Sequence, residues 1–89
     1  MAEVKKKASA GTLESSDVYV EIEPAAEGLS IDLQSVVQVQ YGQAIEAAVR
    51  QVLQENGVEC ACVKIMDRGA LECVIRARVE TAVLRSKEA

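Results

Sequence analysis

At 89 residues the chain fits one domain and can build only one modest core, with no room for a large private cavity. Its net charge is −4, and Lys5-Lys6-Lys7 sits in the N-terminal arm, so the body is more acidic still; that argues against nucleic acid as the main partner, because such affinity comes from neutralising phosphates. There is no His, Trp or Phe and only two Tyr, which excludes a Ser-His-Asp triad, a Cys-His dyad and any imidazole zinc site, and makes the core aliphatic.

In chain order, residues 1–9 form a polar, Lys-rich arm expected to be flexible, followed by a single domain over 10–89. A short strand is predicted from Ala10 to Leu13. The corner Glu14-Ser15-Ser16-Asp17 follows. Val18, Val20 and Ile22 then alternate with Tyr19, Glu21 and Glu23, the period of a half-buried strand. Pro24 stops this run, and Pro24 to Gly28 reads as a hairpin loop into a second alternating strand, Leu29 to Gln34. Ser35 with Gln38 matches a capping box, and Val37, Tyr41, Ala44, Ile45, Ala48, Val52 and Leu53 recur at helical spacing until Asn56-Gly57 caps the run.

Val58 to Met66 is predicted as a strand, and Asp67-Arg68-Gly69 as a turn. The last segment, Ala70 to Lys87, has two readings. Cys73, Ile75, Ala77 and Val79 alternate as in a strand, whereas Leu71, Val74, Ile75, Val79, Ala82 and Val83 make a helical stripe supported by a Glu72–Arg76 pair. Length and Ala content favour the helix, with Arg78 falling inside its apolar stripe. The expected fold is α+β: a small antiparallel sheet of about four strands with two helices packed on one face.

No run approaches the ~20 apolar residues of a membrane helix, and no apolar signal-peptide core follows the basic start. Cys60, Cys62 and Cys73 are odd in number and lie in apolar contexts, which predicts reduced, buried thiols and a cytoplasmic protein. No catalytic residue and no metal site is expected. The clustered Arg76, Arg78 and Arg85 read as ion-pairing partners of an acidic surface.

Chemistry concentrates in the serine corner. Glu-Ser-Ser-Asp is ordinary turn chemistry, its short polar side chains bonding nearby backbone. It also suits a covalent attachment point, which needs an exposed hydroxyl on a protruding segment and no base of its own, since a modifying enzyme supplies one. On the residues alone both readings stand.

Gly11-Thr12-Leu13-Glu14-Ser15-Ser16-Asp17, with Asp67-Arg68-Gly69-Ala70-Leu71-Glu72-Cys73 and Arg76-Ala77-Arg78, resembles the citrate lyase acyl carrier family, the gamma subunit, over nearly the whole chain after the arm. The resemblance implies a carrier subunit that is not itself an enzyme. A 2'-(5''-phosphoribosyl)-3'-dephospho-coenzyme A group would be joined covalently to a serine through a phosphodiester. That serine follows the Thr-Leu-Glu run and falls on Ser15. Ser16 takes a place where similar proteins also carry glycine, and Glu14 and Asp17 flank the site as candidate contacts for the loading transferase.

The resemblance further implies an alpha subunit that exchanges acyl groups and a beta subunit that cleaves the citryl thioester to oxaloacetate and leaves acetyl on the carrier. The acidic body and the lack of a long apolar run predict no nucleic acid or membrane partner. The Asp-Ser-Leu context of helical phosphopantetheine carriers is missing, since Val18 opens a strand. The carriers of malonate decarboxylase and citramalate lyase are neighbouring readings, and a protein-interaction module is the alternative from another class.

Overall fold

The computed structural model describes residues 4–35 and 38–88, and the side chains among them outside 38–41. The chain runs β1 (Ala8–Gly11), β2 (Val18–Glu23), β3 (Leu29–Ser35), α1 (Gln38–Glu55), β4 (Ala61–Asp67) and α2 (Glu72–Ser86). One four-stranded sheet has the order β1-β2-β4-β3. The expected α+β class with two helices holds, and most of the pairing is antiparallel.

One pairing differs from expectation. β3 and β4 run parallel, with Leu29 opposite Ala61 and Leu33 opposite Ile65, so the sheet is mixed. β4 also pairs with β2, antiparallel, which places it between β2 and β3. The Pro24–Gly28 segment is therefore not a hairpin loop but a wide connection spanning the slot that β4 fills. Alternation in β2 and β3 assigns faces to side chains and says nothing about which strands are neighbours. α1 supplies the crossover that a parallel pair requires.

The strand faces divide cleanly. Val18, Val20 and Ile22 of β2 and Ala61, Val63 and Ile65 of β4 are essentially inaccessible. They meet Ile45, Val49, Val52 and Leu53 of α1 and Ile75, Val79, Ala82 and Val83 of α2 in one aliphatic core. Each of the Val, Leu and Ile side chains contributes roughly 1.5–3 kcal/mol by leaving water. The helical stripe of α1 is carried by Val49 where Ala44 was expected, since Ala44 is exposed. Val37 lies outside the described residues, as does the Tyr41 side chain. So does part of the Ser35–Gln38 start; the Ser35 hydroxyl donates to Asp67 Oδ2 at 2.8 Å.

Asn56-Gly57 ends α1 as expected. Gly57 has φ 71° and donates to Gln54 O, and Val58 N donates to Leu53 O at 2.9 Å, the pair of bonds that closes a Schellman motif. β4 starts at Ala61 instead of Val58, though Val58 is still buried. β1 begins at Ala8, two residues before the expected strand, because the small Ala8 and Ala10 give a weak apolar signal. Val4 joins the core, and Lys5 N and Lys6 N both donate to Ser86 O.

The final segment is helical. Glu72 Oε2 accepts from Arg76 Nε at 3.1 Å, and the acidic Glu72 lies in the first turn where the helix dipole favours it. Cys73 and Ala77, which the strand reading would have turned inward, are exposed.

The cysteines need a correction. Cys60 and Cys62 are only half-buried and Cys73 is exposed, so none is a buried core thiol. Cys62 sits out of phase with Ala61 and Val63 and points to the sheet face that the helices leave uncovered, alongside Lys64 and Met66.

Candidate functional site

The serine corner joins β1 to β2, and its shape starts at Gly11. This residue has φ 91°, and a Cβ placed on it would stand 1.8 Å from Val18 O and 3.3 Å from the Arg78 Cδ. Only glycine lets β1 approach β2 this closely while turning outward. Beyond it, Asp17 N donates to Glu14 O at 3.1 Å and closes a four-residue turn with Ser15 and Ser16 at its two central positions. Ser16 has φ 66°, the left-handed conformation found at the second central position of type II turns.

Two tethers fix the base of this turn. In the first, Thr12 Oγ1 donates to Asp17 Oδ2 at 2.7 Å and accepts from Glu14 N at 3.2 Å, while Val18 N donates to Asp17 Oδ1 at 2.7 Å. Arg78, from the middle of α2, adds a bidentate pair: Nε to Asp17 Oδ1 at 3.2 Å and Nη2 to Oδ2 at 3.0 Å. The second tether is backbone to backbone. Ser16 N donates to Arg68 O at 2.8 Å and Arg68 N donates to Asp17 O at 2.9 Å.

Together these donors hold the Asp17 carboxyl well below the usual carboxylate range, at about 2. The Thr12 hydroxyl is the largest cause, followed by the Val18 N–H and then Arg78.

The three sequence motifs thus meet at one end of the sheet: the Gly11–Asp17 corner, the Asp67–Gly69 turn and Arg78. Asp67 shapes the second of them. It is 2% exposed, and its Oδ1 accepts from Ala70 N at 2.9 Å while Oδ2 accepts from Ser35. Gly69 then turns with φ 91°.

Ser15 itself is exposed, and its hydroxyl has no partner among the described residues. Glu14 and Ser16 are exposed on either side of it. Asp17 is different, with its carboxylate engaged inside the fold and its side chain only 15% accessible. Its geometry is that of a tether, which leaves Glu14 as the flanking carboxylate facing outward.

The role of Arg78 as a clamp, and of Thr12 and the Arg68 backbone beside it, was not assigned from sequence. The available signal was Arg78 itself, a cation interrupting the apolar stripe of α2. Among the described residues no group of three or more acidic or cysteine side chains is placed to hold a metal, and no helix is long and apolar enough to cross a membrane.

Known proteins resemble this chain over nearly its whole length. The family model of the malonate decarboxylase delta subunit (MdcD), an acyl carrier family, matches residues 5–86. The citrate lyase acyl carrier protein of Escherichia fergusonii is 55% identical, over 97% of this chain and 90% of its own. The chain belongs to the citrate lyase acyl carrier protein family. The member from Lactococcus lactis subsp. lactis is 54% identical over 98% of this chain and 91% of its own. The fold of this carrier family is also seen in a crystal structure of a Pseudomonas malonate decarboxylase hetero-tetramer in complex with malonate, whose matching chain superposes with a TM-score of 0.80 at 25% identity, over 92% of this chain and 84% of that one.

Proposed function

We propose that this carrier is the acyl carrier subunit of a citrate lyase, loaded at Ser15 and itself non-catalytic. The observation that carries the reading is the contrast within one turn: Ser15 offers an exposed hydroxyl with no partner among the described residues, while the Thr12 hydroxyl, the Asp17 carboxylate and the Ser16 N–H beneath it are bonded. A 2'-(5''-phosphoribosyl)-3'-dephospho-coenzyme A group fits this arrangement, because a phosphodiester to Ser15 Oγ would displace no hydrogen bond of the fold. When bound, the group supplies a thiol on a long tether, where acyl cargo is held.

The chain's own residues do the presenting. Gly11 and Ser16 bend the backbone outward, and Asp17, Thr12 and Arg78 keep it rigid. Ser15 then stands clear for a transferase to close on. The absence of His fits a carrier whose loading transferase provides the base that takes the Ser15 proton. Glu14 is the outward carboxylate available to that transferase. The partners are the alpha (acyl transferase) and beta (citryl lyase) subunits, in the cytoplasm.

Malonate decarboxylase is the second reading, favoured by the matching family model and by the Pseudomonas structure. The 54–55% identity to citrate lyase carriers supports putting the citrate lyase reading first. Peptide mapping by mass spectrometry of the protein isolated from its citrate-grown host tests the attachment. The Ser15 peptide is expected to carry the mass of the full group, and bare Ser15 in cells that are fermenting citrate overturns the proposal.

A further inference from the structure

The arginines of this carrier are not equivalent. Arg50 pairs with Glu46, Arg76 with Glu72 and Arg78 with Asp17, and Arg85 donates to the Ser9 carbonyl. Among the described residues the Arg68 guanidinium is exposed and has neither an ion pair nor a hydrogen bond. It is also the arginine nearest in backbone terms to the serine turn, joined to Ser16 and Asp17 by the two main-chain bonds described above. Arg68 lines a shallow groove of about 220 Å³ with Gln34, Ser35, Met66 and Asp67, at the ends of β3 and β4. The groove begins where the serine turn leans on the Asp67–Gly69 turn.

We infer that Arg68 and this groove form a dock for the phosphate-bearing portion of the group attached at Ser15, so that the arm rests against its own carrier between visits to partners. The inference rests on attachment at Ser15. Three features support it. An unpaired guanidinium is the side chain best shaped for a phosphate, with parallel N–H donors matching its oxygens.

The carrier has a net charge of −4, so a pendant polyanion is repelled by most of the surface and drawn to this cation. Asp67, the acidic residue in the groove, has both oxygens occupied by donors of the fold, which moderates its repulsion of a phosphate. Tethering then makes even a weak site effective, because a group anchored beside it is present at a local concentration of about millimolar. The groove is shallow and open, so the arm can leave when a partner competes for it.

The experiment compares amide spectra of the apo carrier, the loaded carrier and loaded Arg68→Gln, all made in cells that hold the loading enzymes. Intact mass is measured first on each. Loading is expected to shift the amides of Gln34, Met66, Asp67 and Arg68 as well as those beside Ser15. In Arg68→Gln the shifts in the groove are expected to vanish while those beside Ser15 persist, and Arg68→Lys keeps part of them. Added salt is expected to move the wild-type groove signals toward their apo positions.

A fully loaded carrier whose groove amides match the apo form, or whose groove shifts survive Arg68→Gln, overturns the dock and leaves the attachment reading intact. Bare Ser15 in the mass measurement overturns both. Because the Arg68 side chain makes no bond among the described residues, the substitution leaves the backbone tethers in place, which unchanged apo spectra verify.

Discussion

The two ends of the sheet carry connections of different composition and opposite construction, Thr-Leu-Glu-Ser-Ser-Asp at one and Pro-Ala-Ala-Glu-Gly at the other. At one end, the turn between β1 and β2 is held by a side-chain clamp and a backbone staple. At the other, the 24–28 connection has among the described residues a single tie beyond its strands, from Ala61 N to Gly28 O at 3.1 Å. Their glycines show the same contrast. Both have positive φ, but a Cβ on Gly11 would run into the Val18 carbonyl, whereas one on Gly28 would meet nothing within 4 Å. What separates the two loops structurally is the cross-linking of the first one's base to distant elements.

The largest test of that contrast is Ser15→Ala. It is expected to abolish attachment completely, read by intact mass, while thermal unfolding stays at the wild-type temperature. Serine replacement in the open 24–28 connection would create a hydroxyl in a loop without a side-chain clamp and is expected to gain no attachment in the same assay.

Next in size is Gly11→Ala, expected to cost about 3–4 kcal/mol in denaturant unfolding because backbone must move aside. Gly28→Ala is expected to cost only about 1–2 kcal/mol, the strain of a left-handed alanine in open space. Equal losses at the two glycines would remove the distinction between the ends.

The clamp has a pH signature. Asp17 titrates at about 2 when folded against an ordinary 3.8. A depressed carboxylate stabilises the fold above its unfolded value, and that contribution disappears as pH falls from about 4 through 2. Asp17→Asn is expected to be less stable than wild type at neutral pH and to lose less further stability on acidification, measured by unfolding across that range. An acid limb as steep as wild type would show that the clamp contributes nothing. The smallest effect is expected for Ser16→Gly, which relieves a left-handed serine and raises stability by roughly 0.5 kcal/mol. That is a rise of roughly 2–4 °C in melting temperature for a domain of this size, with Ser15 still loaded.

Much of this was readable in the residues. The β2 alternation, the α1 stripe and its Asn56-Gly57 cap are local patterns, and the fold follows them. The position of Ser15 on an exposed corner was equally local. The insertion of β4 between β2 and β3 was not, since a period of two fixes which side chains face the core and leaves strand order free. β1 was misplaced because alanines signal burial weakly. Arg78 looked like a flaw in the helical stripe of α2 until its partner, 61 positions earlier in the chain, was in view.

That span has a consequence for how the molecule comes into being. Asp17 emerges from the ribosome long before residue 78 exists, so the turn that carries Ser15 is made early and set late. Its clamp can close only when the last helix has docked on the sheet, the most non-local event in a fold already slowed by distant pairings. Under the proposed loading at Ser15, a transferase that requires the rigid turn would act only on copies in which α2 has docked, and half-folded copies would offer it the same serine in the wrong shape.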